Sequence, residues 1–341
     1  PDFDPYQAAY DRFNALIGRL EPMRRRLVEV PFQLDHPYWI DDPDFDLNFH
    51  VRHLGLAPPG GADQLAEQVA RIVGRRMDRS RPLWEAYVIE GLADGRWAML
   101  TKTHHATIDG ASGVLLLNML TDPSADAPWP EHADWVGEPV PSDRDLLERT
   151  MRNLALNPVK GMRLSLRMVR NFAEVAGIDS VSAIAGQARD LLKSMAVGGE
   201  VDTPEPTHRV RIPLSPAPPT PFNRSITPHR RFAMRSTALA NIKALKEATG
   251  CTVNDVVMAI CTGALREYLL RHDALPEEPL RAMVPVSIRT GLEEDPWTNR
   301  VGAIIADLPT NCEDPLERLR RCHDAMNEAK RQMDVLPADD I

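Results

Sequence analysis

The sequence predicts a mixed α/β fold arranged in two units. Three observations carry that reading. Residues 84–121 alternate in polarity, turn at Asp94-Gly95, alternate again and then become an apolar helix. A proline-rich, aperiodic run at 198–228 separates this part from a second series of helix and strand patterns. At 341 residues the chain is long enough for about two separate cores.

The elements follow in order. Residues 6–30 are expected as a helix, with Phe13, Leu16, Ile17 and Leu20 at helical spacing and Met23-Arg24-Arg25-Arg26-Leu27-Val28 behind them. Residues 45–56 alternate through Phe45, Leu47, Phe49, Val51 and Leu54 as a strand would. A helix over 63–77 places Leu65, Val69, Ile72, Val73 and Met77 on one face. Residues 84–90 and 96–103 form an antiparallel hairpin, and 111–121 a helix. Prolines mark 122–145 as a loop, and 145–196 reads as helix broken near Pro158 and Gly161. Beyond the linker, Phe232 and Met234 suit a strand, 237–248 a helix and 252–270 another. Residues 280–286 and 301–308 suit strands, and 314–334 a final helix. The expected division is 1–145, a connector 146–228, and 229–341.

Composition narrows the function. The net charge is −9, which argues against a nucleic-acid partner. The four cysteines, Cys251, Cys261, Cys312 and Cys322, have no CxxC spacing and read as reduced thiols of a cytosolic protein. The ten histidines show neither HExxH nor a zinc-type Cys/His spacing, so no metal is expected. No apolar run approaches the roughly 20 residues of a bilayer-spanning helix, and residues 1–20 do not read as a signal peptide. With Pro1 at its start and an abrupt end, the chain reads as a piece of a longer protein.

The motif that carries chemistry is His104-His105-Ala106-Thr107-Ile108-Asp109-Gly110, an HHxxxDG run directly behind a strand. A histidine with an ordinary pKa of about 6.5 is a half-ready base near neutrality. Asp109 is close enough to brace the turn, and Gly110 is expected where a side chain would block it. The bland alternative is two core histidines and a turn-forming Asp-Gly. The full pattern between a strand and an apolar helix favours a base that deprotonates an alcohol, amine or thiol.

Several further motifs occur in order: Pro37-Tyr38-Trp39, Phe45-Asp46-Leu47-Asn48-Phe49-His50, Pro82-Leu83-Trp84, Thr252-Val253-Asn254-Asp255-Val256 and Val284-Pro285-Val286-Ser287-Ile288-Arg289. With HHxxxDG they make the chain resemble the bacterial wax ester synthase/acyl-CoA:diacylglycerol acyltransferase family, within the CoA-dependent acyltransferases. Pro82-Leu83-Trp84 and Asn254-Asp255 point to that branch. The family continues past this C-terminus. The resemblance implies two chloramphenicol-acetyltransferase-like halves, mixed sheets with helices, and an active-site channel between them. It also implies transfer of a long-chain acyl group from acyl-CoA to diacylglycerol or a fatty alcohol, with no cofactor beyond the acyl-CoA substrate.

On that resemblance His105 is the general base, and His104 packs or hydrogen-bonds behind it. Asp109 either orients His105 or pairs with an arginine, Arg24 by likeness to condensation domains or Arg289. Asn254 and Asp255 read either as a helix cap or as lining of the substrate channel. Trp84 reads as core or as substrate platform. Arg149, Arg152, Lys160, Arg163, Arg167 and Arg170 fall in a stretch with no acid, interleaved with apolar residues. This is either a basic amphipathic segment resting on an anionic membrane or lipid droplet, or a packed connector. The expected location is cytoplasmic, peripheral to the inner membrane face or to lipid droplets. The competing functions are a related acyltransferase with another acceptor and a non-catalytic lipid-binding scaffold.

Overall fold

The computed structural model describes residues 3–124, 126–156, 217–287, 297 and 301–334. Helix α1 (Pro5–Leu16) begins where the Asp4 side chain accepts from the Gln7 N–H at 2.9 Å and Pro5 takes a first-turn position that needs no N–H donor. The expected single helix to residue 30 does not form. A 3-10 turn (Ile17–Arg19) and a single turn α2 (Glu21–Arg24) follow, and Arg25–Val28 becomes strand β1, paired antiparallel with β2 (Tyr38–Asp41). Gly18 marks the break: a Cβ there would lie 2.1 Å from the Ala133 carbonyl oxygen, so the loop after residue 122 packs against bare backbone.

Alternation also misled at 45–56. The Asp46 carboxylate accepts from the Asn48 N–H at 3.0 Å and caps one helical turn, α3 (Leu47–His50), so strand β3 is only Val51–Gly55. Helix α4 (Ala62–Val73) then crosses over to β4 (Trp84–Glu90), which runs parallel to β3. The predicted hairpin forms: Gly95 adopts φ +73° and β5 (Ala98–Thr103) returns antiparallel, Trp84 opposite Thr103. The sheet order is β3-β4-β5. Helix α5 (Gly110–Leu120) follows β5 directly.

β4 is buried on both faces. Trp84 and Ala86 meet Phe13, Leu16, Met23 and Leu116, while Tyr87 and Ile89 meet Leu65, Val69 and Ile72 of α4. Alternate side chains thus serve two cores at once. Trp297, far along the chain, is buried in the first of these cores.

After α6 (Asp143–Leu156), the expected helix to 196 and most of the linker lie outside the described residues. The strand expected at Phe232 and Met234 is absent: 226–238 forms no ladder and both side chains are exposed, so apolar type alone misled there. The later elements match their expected spans closely. They are α7 (Leu239–Thr249), α8 (Val253–Arg271), β6 (Leu280–Ser287), β7 (Val301–Leu308) and α9 (Pro315–Asp334). β6 and β7 pair antiparallel, and Ile304 and Ala306 pack on Met258 of α8 and Met326 and Ala329 of α9. Among the described residues no single helix is long and apolar enough to cross a membrane.

One buried histidine makes the first core sensitive to acid. His50 is fully buried, stacked on Trp84 at 4.5 Å and on Phe45 at 5.1 Å, and its Nδ1–H donates to the Trp84 carbonyl at 2.8 Å. Burial is the main cause that pushes its pKa down to about 4. The folded protein therefore keeps this ring neutral in a range where the unfolded chain takes up a proton. The stabilisation is complete above about pH 6.5 and is lost as pH falls towards 4, by about 3 kcal/mol in all. Urea unfolding of the parent and of His50→Phe should diverge in this window, the variant gaining by about that amount relative to the parent between pH 6.5 and 4. Parallel stability curves would remove His50 as the sensor.

Candidate active site

The two histidines sit where the sequence places them, at the exit of β5. The His104 N–H donates to the Leu83 carbonyl at 2.9 Å, which extends the β4–β5 ladder by one residue. The Thr107 N–H then donates to the His104 carbonyl at 2.9 Å and closes the turn. Behind it, Lys102 anchors β5: its Nζ donates to the Ile72 and Arg75 carbonyls at 3.1 and 2.7 Å, at the C-terminal end of α4, and lies 3.7 Å from the buried Glu85 carboxylate. A cation at a helix C-terminus is favourable against the exposed carbonyl dipoles.

The backbone partners assign opposite tautomers to the two rings. His104 Nδ1 accepts from the Ala106 N–H at 3.0 Å, so its proton is on Nε2. His105 Nδ1 faces the Ile108 carbonyl oxygen at 3.0 Å, and a carbonyl can only accept. His105 therefore carries its proton on Nδ1 and presents the Nε2 lone pair, the form a general base needs. His104 closes the turn instead. His105 is exposed enough for a substrate to reach it.

Asp109 is buried and caps α5, accepting from the Ser112 N–H at 2.7 Å. It thereby fixes where the helix starts, four residues after Ala106. Gly110 adopts no left-handed conformation, and a Cβ there meets no described atom within 4 Å, so the expected steric need for glycine does not hold. Arg24 is not the partner of Asp109. Its Nε lies 3.1 Å from Asp41, Nη1 donates to the Gly18 carbonyl, and the guanidinium rests over Trp135. The β1–β2 pairing brings Asp41 to that position. Arg289 lies outside the described residues.

Trp84 is core: its Nε1–H donates to the Met23 carbonyl and its ring is sandwiched between His50 and Phe13. This removes it as a substrate platform. Asp255 is also structural. It forms a capping box with Thr252, whose N–H donates to the Asp255 carboxylate at 2.8 Å, and the same carboxylate accepts from His323 on α9 at 2.7 Å. Burial behind that cap removes it from a substrate channel. Asn254 is exposed on the first turn of α8, and no described contact joins it to His105.

Sequence reasoning missed Arg12. Its guanidinium donates to the Met119 carbonyl at 2.8 Å and pairs with Asp122, so α1 holds the C-terminal end of the helix that Asp109 caps at its start. A lone arginine on a predicted helix gives no signal of that contact. A groove of about 860 Å³ runs between α4 and residues 228–232, with Arg71, Arg75, Arg230 and Arg231 among its walls; His105 is not part of it.

The family model of the wax ester synthase/diacylglycerol acyltransferase catalytic domain matches residues 2–257, and that of the C-terminal domain matches 297–341. The chain belongs to this family. A Mycobacterium tuberculosis protein named as a diacylglycerol O-acyltransferase is 34% identical over 98% of this family member and 66% of its own length. Another from that organism, similarly named, is 37% identical over 98% of the chain and 69% of its own length. The structure of the wax ester synthase/diacylglycerol acyltransferase from Marinobacter aquaeolei VT8 is 30% identical, with a TM-score of 0.57, over 97% of this chain and 65% of that one. This family member thus spans about two thirds of the length of such relatives.

The capping geometry gives a direct test. Asp109→Ala should lower the unfolding free energy by at least about 1 kcal/mol, the usual cost of losing an N-cap, while Asp109→Asn keeps an acceptor and loses less. Urea denaturation measures both. An alanine variant as stable as the parent would refute the capping role.

Proposed function

We propose that this chain is the catalytic part of an O-acyltransferase that moves a long-chain acyl group from acyl-CoA to the hydroxyl of diacylglycerol, of a fatty alcohol, or of both. The observation that carries the reading is the His105 Nδ1–Ile108 carbonyl hydrogen bond, which leaves Nε2 free as a base. An alcohol attacks a thioester well only as its proton leaves. In the proposed reaction His105 Nε2 takes that proton while the oxygen bonds to the thioester carbon. The tetrahedral intermediate then collapses, the C–S bond breaks, and the imidazolium returns the proton to the CoA thiolate. The Ile108 carbonyl stabilises the cationic ring between the two steps. Atoms and charge balance without any cofactor.

Membership of the family supports acyl-CoA and a lipid alcohol as the substrates. Exposed apolar side chains on two helices suit an acyl chain: Val114 and Leu117 on α5, and Val253, Val257 and Ile260 on α8. A non-catalytic scaffold has no use for a histidine held in the basic tautomer. Peripheral contact with the cytoplasmic membrane face or a lipid droplet belongs to the same proposal, since diacylglycerol resides in membranes. The basic stretch that suggests it lies mostly outside the described residues.

Two measurements follow. Thiol release from palmitoyl-CoA with a diacylglycerol or long-chain alcohol acceptor should fall by at least about 10²-fold in His105→Ala, the low end of general-base effects. A folded variant that turns over at the parent rate would end this mechanism. Replacing Arg163, Arg167 and Arg170 with Gln should reduce co-sedimentation with anionic liposomes at low salt, as each cation is worth about 1 kcal/mol at such a surface. Activity on dispersed diacylglycerol should fall with it, while activity on a short soluble alcohol should not. Equal loss on both acceptors would make the segment a packed connector.

A further inference from the structure

The junction of α7, α8 and α9 gathers three metal-binding side chains that acyl transfer does not use. Cys251 lies in the short turn between α7 and α8, Asp255 in the first turn of α8, and His323 on α9. One donor atom from each lies within 4.8 Å of the others. Cys251 and Asp255 are buried, while the His323 side chain keeps 31% of its surface exposed.

We propose that these residues form a binding site for a borderline divalent cation, with Zn²⁺ as the best match. The ligands are Cys251 Sγ, the Asp255 carboxylate and His323 Nδ1, with water in the fourth position. Four physical features point to it. A thiolate, an imidazole and a carboxylate together are the donor set of zinc, not of magnesium or calcium, which take oxygen. Thiolate and carboxylate also neutralise a divalent cation, so the loaded site is uncharged where water is largely excluded. Two of the three ligands are nearly in place, and the Cys251 sulfur lies within 4.8 Å of both. His323 Nδ1 and Asp255 Oδ2 are 2.7 Å apart around a shared proton. Two zinc ligands at about 2.0–2.1 Å and a tetrahedral angle stand about 3.3 Å apart, so replacing that proton by the metal needs a displacement of about half an ångström.

The fourth feature is the outer shell. A zinc-bound histidine almost always donates its other ring N–H to an oxygen. Here His323 Nε2 lies 2.9 Å from the Asn327 amide nitrogen, and a half-turn of that amide supplies the oxygen. The Thr252 N–H donates at 2.8 Å to Oδ2, the same carboxylate oxygen that faces His323, and fixes its position. Binding releases one proton, from the Cys251 thiol; the His323 proton moves from Nδ1 to Nε2, where the turned Asn327 amide oxygen accepts it. The open side of His323 gives the ion a route in and the water its position.

Such an ion would staple the α7–α8 turn to α9 and so fix the two helices that cover the β6–β7 sheet. The sequence expectation of no metal rested on the absence of short-range spacing. This cluster joins residues 68 positions apart, beyond the reach of any such motif.

The test is cobalt titration of the chelator-treated chain, followed by zinc. One equivalent of Co²⁺ should give intense tetrahedral d–d bands and a sulfur-to-cobalt charge-transfer band, both displaced by one equivalent of Zn²⁺. Cys251→Ser should abolish the charge-transfer band, and His323→Gln should weaken zinc binding at least about tenfold. Cys261→Ser, which changes an exposed thiol outside the cluster, should change neither. A measurement without variants guards against misfolding: zinc should slow iodoacetamide alkylation of Cys251, read by peptide mass, at least about tenfold while leaving Cys261 unaffected. No stoichiometric binding, a charge-transfer band that survives Cys251→Ser or is lost in Cys261→Ser, or alkylation of Cys251 indifferent to zinc would each overturn the proposal.

Discussion

Strand β4 has no face for water. One set of its side chains, Trp84 and Ala86, enters the core built by α1 and α5, and the other, Tyr87 and Ile89, enters the core beneath α4. Each fully buried aliphatic side chain contributes about 1.5–3 kcal/mol, and slipping the strand by one residue would exchange the two sets between cores of different shape. The register of β4 is therefore strongly specified, and β5 inherits it through the pairing of Trp84 with Thr103. His104 and His105 begin at the next residue. The position of the proposed base is thus a consequence of packing several residues away from it.

Around that fixed point, electrostatics act through the main chain more than through other side chains. The tautomer of each histidine follows from whether the backbone offers it a donor or an acceptor. Asp109 acts at one remove, by setting the first turn of α5, and Arg12 holds the other end of the same helix. The loop from β5 to α5 has little freedom to wander, because Lys102 anchors the end of β5 and α5 is held at both ends. The buried Glu85, which accepts from the Tyr87 hydroxyl at 2.7 Å and faces Lys102 and Arg52, extends this bracing to the far side of the sheet. Its proximity, with burial as the larger cause, pushes the Tyr87 hydroxyl up to about pKa 12, so that group stays a neutral donor at any physiological pH.

The elements most legible in the sequence were those whose signals are local. The hairpin at Asp94-Gly95, the capping box from Thr252 to Asp255 and the long helices α8 and α9 all declare themselves within a few residues. The strands that failed did so for one reason: alternation at 45–50 and apolar residues at 232 and 234 report side-chain type, while a capping aspartate and a lack of pairing partners decided the backbone. The arginine run at 24–26 likewise fell within the helix expected over 6–30. In the fold it carries a guanidinium paired with Asp41 and two residues of a strand.

Sequence alone determined that a histidine pair stands between a strand and an apolar helix, because every part of that motif lies within seven consecutive positions. It also determined the order of helices and strands from residue 237 onward and the family resemblance. Tertiary structure alone decided what covers each apolar face and which partner each polar group finds. It placed Trp297 in the N-terminal core, buried His50 against Trp84, gave Arg24 to Asp41 rather than Asp109, and joined Asp255 to His323. The physical reason is distance along the chain. Periodicity shows that a face must be buried and residue type shows that a charge must be paired, but the partner in each case arrives from tens of residues away, and only folding selects it.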